Sequence, residues 1–334
     1  MPVCRDLFGR VVNYLRISVT DRCNLRCVYC MPAQGIPWRP REEILRHEEI
    51  VRVVEVAAGL GIQRLRLTGG EPLIRAGLPA LVAALARIPG IEEISLTTNG
   101  VLLASLAEPL VEAGLSRVNV SLDTLQPERF ARITRFGRFD QVWRGIEAAE
   151  RAGLTPLKLN MVVIRDLNDD ELETFARLTL RRPWHVRFIE LMPVGNQGEW
   201  GEDFPGAGRR SVPVAEMRAR LAPLGELLPV NGLRGNGPAQ TYRLPGAAGT
   251  VGFIAPVSQH FCAGCNRLRL TSDGRLRPCL LRDGEVDLAP ALRDGADLLQ
   301  LQALILQAVL AKPKGHQLSD RALPRDGRMA AIGG

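Results

Sequence analysis

Short apolar segments of alternating pattern recur along the first part of this chain, and each is followed by a segment of helical period. The helical segments include residues 48–60 and 78–87. Repetition of strand, helix and strand requires parallel pairing through right-handed crossovers, so the pattern predicts an α/β barrel or an open doubly wound sheet. The six candidate strands lie near residues 14–20, 64–68, 94–98, 118–122, 157–163 and 186–192.

The two faces of these strands differ in polarity. One face carries residues such as Ile17, Val19, Leu65 and Leu67, which covering helices would bury. A closed barrel would fill its interior with Val, Ile and Leu, and a doubly wound sheet would be apolar on both faces. We therefore expect an incompletely closed six-strand (β/α) barrel around a large polar ligand, with an ordinary sheet that has one wet face as the alternative. The polar face carries Arg16, Ser18, Thr20, Arg66, Thr68, Ser95, Thr97, Asn119, Ser121, Lys158, Asn160 and Glu190.

The alternation ends near Leu224, where a segment rich in Gly and Pro begins. Short strands are expected after it, followed by an amphipathic helix at about residues 298–311. The pattern predicts a partial barrel over residues 1–224 and a smaller α+β domain over residues 225–334. The expected short strands lie near residues 241–244, 250–255 and 267–271.

Composition restricts the partners of the chain. Residues 1–10 lack an apolar signal region, and no apolar run approaches the roughly 20 residues that span a bilayer, so we expect a cytoplasmic protein without a membrane partner. The net charge of +7 favours anions. No block of consecutive Lys and Arg occurs, and basic residues do not alternate with aromatic residues as in single-strand binding platforms. No nucleic-acid partner is expected.

Three cysteines, Cys23, Cys27 and Cys30, form a C-x3-C-x2-C motif just after the first strand, which is the catalytic end of a barrel. Seven cysteines in a chain without a secretion signal suit metal binding better than disulfides. Three thiolates bind three irons of a four-iron cubane and leave one iron open. Structural zinc would want a fourth Cys or His nearby, but the next histidine is His47, so zinc or inert thiols are the weaker alternatives.

A second triad consists of Cys262, Cys265 and Cys279. Its spacing is compatible with another cluster that has an open iron and also with a zinc site that borrows His260, and geometry leaves both interpretations open. Cys4 lies near a terminus expected to be mobile, and we interpret it as a non-ligand.

Several motifs resemble those of known enzymes. The segment Cys23 to Cys30 resembles the cluster motif of the radical S-adenosylmethionine (SAM) superfamily, and Thr68 to Pro72 resembles its GGEP element. The segment Cys262 to Arg269, together with Cys279, is similar to the auxiliary-cluster motif of the GTP 3′,8-cyclase family, also called MoaA. Further blocks resemble that family in its order, at residues 14–22, 97–100, 120–123, 187–190, 194–196 and 332–334.

The resemblance implies a role for each matched residue. The first triad would hold a 4Fe–4S cluster whose open iron chelates SAM, and the second triad would hold a 4Fe–4S cluster at the substrate. The terminal Gly333 and Gly334 would reach into the active site and assist SAM cleavage. Taken singly, Gly70 also suits a tight turn and Met192 core packing. The SAM site would be lined by Tyr29, Gly70, Ser121 and Met192, and GTP would be bound by Arg16, Arg66, Thr97, Lys158, Arg267 and Arg269.

The implied activity is that of a lyase that converts GTP to (8S)-3′,8-cyclo-7,8-dihydroguanosine 5′-triphosphate, the first step of molybdenum cofactor biosynthesis. The implied partners are a flavodoxin-like or ferredoxin-like electron donor and, as the next enzyme, cyclic pyranopterin monophosphate synthase; the chain would be a monomer or a homodimer. Another two-cluster radical SAM enzyme, such as a peptide modifier, is the first alternative. A non-enzymatic zinc protein that binds nucleic acid is the second.

Overall fold

One continuous sheet passes through the computed structural model, which describes residues 3–192, 210–231 and 237–316. The strand order is β12-β11-β10-β1-β2-β3-β4-β5-β6-β9-β8-β7. The strands are β1 (Tyr14–Ser18), β2 (Arg64–Thr68), β3 (Glu93–Thr98), β4 (Arg117–Ser121), β5 (Lys158–Val163), β6 (His185–Glu190), β7 (Leu228–Pro229), β8 (Gln240–Arg243), β9 (Thr250–Ile254), β10 (Arg267–Leu270), β11 (Arg275–Arg277) and β12 (Val286–Asp287).

Helices follow the first six strands, as the periodicity predicts. A further helix lies near the end of the described residues, where the sequence also predicts one. No helix of the described residues is both long enough and apolar enough to cross a membrane. The helices are α1 (His47–Gly59), α2 (Leu78–Ala86), α3 (Leu103–Glu112), α4 (Pro127–Thr134), α5 (Phe139–Arg151), α6 (Leu172–Arg181), α7 (Val214–Arg220), α8 (Ala289–Arg293) and α9 (Leu298–Leu310).

The six strands of the repeat, β1 to β6, pair in parallel and in chain order. β10 extends the first edge by pairing in parallel with β1, and β9 extends the other edge by pairing in parallel with β6. No pairing among the described residues joins the two outer strands, so the predicted incomplete barrel is confirmed. The division into domains at residue 224 stays a prediction, since strand pairing continues across it.

The strand faces differ as predicted. Outward side chains such as Leu65, Leu67 and Leu96 are fully buried under the helices, and burial of each contributes about 1.5–3 kcal/mol. α5 lies close to the turn that precedes α3, where a Cβ on Gly145 would stand 2.4 Å from the carbonyl oxygen of Gly100. The inward face is buried as well but polar, and it carries Arg66, Ser95, Asn119, Lys158, Arg187 and Arg269.

Two details of the sequence interpretation are wrong. Glu190 is among the residues that line the cavity, but it does not lie on the inward parity of β6, and its carboxylate accepts hydrogen bonds from the backbone N–H groups of Val214, Val257 and Ser258, 2.9–3.0 Å away. It shares its face of β6 with Val186 and Phe188, so the inward polar residue of this strand is Arg187. Cys4 is not part of a mobile end but is buried in the main core.

Candidate active site

The interior of the open barrel is a cavity of about 330 Å³. Such a volume is within the range of about 300–1,000 Å³ that is usual for ligand sites. Both cysteine triads line it, together with Tyr14, Asn160 and His316. The cavity is also lined by every other described residue of the predicted site except Lys158. Gly333 and Gly334 lie outside the described residues, so their predicted role stays a prediction.

The first triad lies on the loop that follows β1. Backbone N–H groups of Arg26 and Val28 donate to the carbonyls of Thr134 and Ile133, each at 3.0 Å, so the end of α4 holds this loop. Burial raises the pKa of Cys23 to about 11 and that of Cys30 to about 12. A bound metal deprotonates a coordinating thiol outright. The three thiols fit a metal cluster, whose iron cations would stabilise the thiolates that burial disfavours.

The GGEP segment packs directly on the same loop. The backbone N–H of Gly70 donates to the carbonyl of Thr20 at 2.8 Å, and the N–H of Glu71 donates to that of Arg22 at 2.8 Å. A Cβ on Gly70 would stand only 2.2 Å from the carbonyl oxygen of Arg22. A side chain is therefore excluded where the two segments meet, next to Cys23.

The carboxylate of Glu71 fastens this segment to the end of β3. It accepts hydrogen bonds from the hydroxyl of Thr98 at 2.6 Å and from the backbone N–H of Asn99 at 2.7 Å. The Asn99 amide in turn donates to Asn24 at 2.8 Å and lies 4.0 Å from the Sγ of Cys23. The thiol loop is thus positioned by side chains from two further strands.

Asp123 is a cavity residue to which the sequence interpretation assigned no role. The hydroxyl of Tyr29 donates to its Oδ2 at 2.6 Å, and the backbone N–H of Val162 donates to its Oδ1 at 2.9 Å. Burial raises the pKa of Asp123 to about 6, although these hydrogen bonds oppose the rise. Asp123 therefore fixes Tyr29, the aromatic residue of the first cysteine motif, from across the cavity. Asp123 ends the block at residues 120–123 that resembles the family, and this resemblance is the signal that could have identified it.

The second triad lies where β10 begins and where β11 ends. Cys262 and Cys265 flank a single turn, in which the N–H of Cys265 donates to the carbonyl of Cys262 at 3.1 Å. Burial raises the pKa of Cys265, but the charges of Arg267 and Lys312 outweigh it and bring the pKa to about 7. This thiol ionises more readily than those of the first triad.

Neither triad is arranged as a single-ion site. Within the described ranges, no group of three or more His, Cys, Asp or Glu side chains could hold one metal ion. A cubane binds each thiolate to a different iron, so its ligands stand further apart than those of one ion. The finding is compatible with a cluster at each triad.

Three arginines stand side by side on neighbouring strands. Arg16 on β1 is in register with Arg66 on β2 and with Arg269 on β10. All three are within the cavity wall, and burial, followed by the neighbouring charges, lowers their pKa values, to about 10 for Arg269. Adjacent like charges destabilise a sheet, and buried cations need a counter-charge. A row of like charges of this kind favours binding of an anion with several charges.

Arg187 belongs to the same wall, and the sequence interpretation missed it because the parity of β6 was assigned wrongly. Its guanidinium donates to the Oδ1 of Asn119 at 2.9 Å, and its Nε is buried without a hydrogen-bond partner. Lys158 on β5 is not among the residues that line the cavity; it is in register with Asn119 on β4 and with His185 on β6. Burial, and then the charges of Arg187 and two further arginines, lowers the pKa of Lys158 to about 6.

Comparison with known proteins agrees with this site. Residues 17–179 match the family model of the radical SAM superfamily, and residues 184–318 match the model called Molybdenum Cofactor Synthesis C. The fold resembles that of SuiB from Streptococcus suis bound to S-adenosylmethionine, with a TM-score of 0.60 and 14% identity over 87% of this chain and 67% of that chain. SuiB bound to its precursor peptide SuiA gives a TM-score of 0.61 and 15% identity over 92% of this chain and 72% of that chain. The chain is a radical SAM protein.

Sequence relatives narrow the class further. The GTP 3′,8-cyclase of Moorella thermoacetica is 54% identical over 99% of this chain and 100% of that protein. That of Listeria monocytogenes is 46% identical over 100% of both chains. The chain belongs to the GTP 3′,8-cyclase family, which confirms the resemblance seen in its motifs. The cofactors predicted from those motifs, two 4Fe–4S clusters and SAM, are those of this family.

Replacement of Gly70 by alanine is expected to remove the first cluster selectively. The new Cβ would collide with the backbone of the loop that carries Cys23. We expect G70A to retain about four of about eight irons per chain, measured by iron analysis of protein reconstituted without oxygen. Gly59, at the end of α1, is the matched control, since nothing lies within 4 Å of a Cβ there. G59A should keep the full iron content, and an unchanged iron content in G70A would contradict the assignment.

Proposed function

We propose that this chain converts GTP to (8S)-3′,8-cyclo-7,8-dihydroguanosine 5′-triphosphate, the first step of molybdenum cofactor biosynthesis. The observation that carries the proposal is that one cavity is lined by two cysteine triads and, between them, by a row of buried arginines. A nucleotide triphosphate carries several negative charges, which neighbouring arginines bind well. The names of the full-length relatives support the same reaction.

The residues at the first triad would bind and orient SAM. Cys23, Cys27 and Cys30 would hold the first cluster, which when bound supplies the electron that cleaves SAM and starts the radical reaction at the ribose of GTP. Gly70 has no Cβ, so the methionine part of SAM can approach the backbone closely. Tyr29 is held in place by Asp123, and Ser121 and Met192 complete the lining.

The residues at the other end would bind GTP. The guanine would face Cys262, Cys265 and Cys279, which would hold the second cluster. Arg267 and Arg269 lie two residues apart on β10 and both line the cavity, so they can contact the polyphosphate together with the arginines of β1 and β2. Thr97 lines the same cavity. Fixing both ligands inside one cavity would bring the reacting carbons close and exclude water.

The electron donor would approach the outer side of the first triad. Trp38 is about half exposed there, and the guanidinium groups of Arg22 and Arg26 lie 5.0 and 5.9 Å from the centre of its ring. A cationic surface with an exposed aromatic residue suits an acidic partner, so we propose a flavodoxin-like or ferredoxin-like donor at this point. The proposal includes a cytoplasmic location, a monomer or homodimer, and cyclic pyranopterin monophosphate synthase as the next enzyme.

The reaction can be tested with the oxygen-free, reconstituted protein. Incubation with SAM, GTP and a strong reductant should produce 5′-deoxyadenosine and the cyclised nucleotide in equal amounts, both measured by liquid chromatography and mass spectrometry. Formation of 5′-deoxyadenosine without any cyclised nucleotide would contradict the proposal and favour another radical SAM reaction, such as peptide modification. Stoichiometric zinc without iron would favour the zinc-protein alternative.

Replacement of Arg187 by methionine is expected to weaken GTP binding about 10–100-fold. A hydrogen bond to a charged group contributes roughly 1.5–3 kcal/mol, and each 1.4 kcal/mol is tenfold. The measurement is GTP affinity by isothermal titration calorimetry. R144M removes an arginine that is exposed on α5, and its affinity should match the wild type. Equal affinities for R187M and R144M would contradict a role for Arg187.

GTP binding at pH 7.5 is expected to take up close to one proton through Lys158. With a pKa of about 6, Lys158 is mostly neutral at this pH, because burial, Arg187, Arg117 and Arg66 disfavour its charge while Glu93 favours it. A triphosphate would offset those arginines and raise the pKa, so the uptake should fall to about half a proton near pH 6 and become small near pH 5, where Lys158 is already largely protonated. Calorimetry in buffers of different ionisation enthalpy measures the uptake. The same uptake in K158M would contradict the assignment.

A further inference from the structure

A lysine is buried directly beside the second cysteine triad. Lys312 follows α9, and only 3% of it is exposed. Its Nζ lies 3.7 Å from the Sγ of Cys265, 2.7 Å from the carbonyl oxygen of Arg267 and 3.1 Å from that of Pro278. An ammonium has three N–H donors and no acceptor, so each donor has a partner and one of them is a cysteine sulfur.

Among the described residues, the negative charge that acts most on Lys312 comes from the triad. The charged groups that act on it most are Cys265, Arg10, Cys279 and Arg267. Two of these are cations, and the two that can be anions are cysteines of the triad. Burying an ammonium without an anion is costly. The thiolates of a bound cluster would provide that anion.

The position of Lys312 is fixed from the N-terminal side of the chain. The guanidinium of Arg10 donates to the carbonyl oxygen of Cys262 at 2.8 Å and to that of Pro313 at 2.7 Å. Arg10 is itself held by a buried ion pair with Asp6 at 2.5 Å. The segment after α9 is therefore bound to the turn of the second triad at two points, and Lys312 is constrained to face Cys265.

We propose that Lys312 is a positioning residue of the second cluster, which stabilises the reduced cluster through its N–H···S contact with Cys265. Its two bonds to the carbonyls of Arg267 and Pro278 join the loop of Cys262 and Cys265 to the loop of Cys279. The inference rests on the proposed second cluster. Charge and hydrogen bonds at the sulfur atoms set the reduction potential of an iron–sulfur cluster, and a nearby cation favours the form with one more electron.

Redox titration of the oxygen-free protein with dithionite, followed by electron paramagnetic resonance, tests the proposal. In K312M the second cluster should accept one electron at least tenfold less favourably, a decrease of about 59 mV in potential, while the first cluster keeps its potential. Added SAM identifies the signal of the first cluster. K312Q keeps an N–H donor without the charge and should lie between K312M and the wild type.

The control variant is K314M, which removes an exposed lysine two residues away and should leave both potentials unchanged. If K312M loses iron only from the second triad, the loss supports the positioning role, and K312Q then reports the effect of the charge. If K312M carries its full iron content and the potential of its second cluster is unchanged, this proposal is overturned, but the proposed function is not. Wild-type protein that binds only about four irons would instead contradict the second cluster and with it the proposed function.

Discussion

The rest of the structure depends on a row of like charges buried inside an open sheet. Arg16, Arg66 and Arg269 occupy neighbouring register positions, where mutual repulsion and desolvation both oppose folding. The apolar outer face must supply the stability that this interior lacks, and side chains such as Leu65 and Leu96 are accordingly fully buried under the helices.

The open sheet also explains how the two cysteine triads come to face one cavity. The first triad follows β1 directly, whereas the second begins more than 230 residues later in the chain. Parallel pairing of β10 with β1 places the second triad beside the first strand, and pairing of β9 with β6 covers the opposite edge. The C-terminal strands therefore act as extensions of the barrel wall, and the edges that a partial barrel exposes become part of the cavity wall.

Much of this site could be predicted from the sequence, because strand parity and cysteine spacing are local properties. Five of the six strands have the polar faces that alternation predicts. β6 was assigned the wrong inward residue because Glu190 is polar yet serves as a buried acceptor for backbone N–H groups on the outer side. Arg10 and Lys312 could not be predicted, since their partners are up to 304 residues away in the chain. Alternation also gave no sign of β11 and β12, which are too short to show it.

The two triads provide different environments for their ligands. Burial raises the pKa of Cys23 and Cys30, and Asp123 adds a negative charge near Cys30, so metal binding must drive ionisation there. At the second triad, Arg267 and Lys312 lower the pKa of Cys265 despite its burial. A cluster in the first environment would therefore be harder to reduce than one in the second. Such an order would suit a first cluster that donates an electron and a second cluster that binds the substrate.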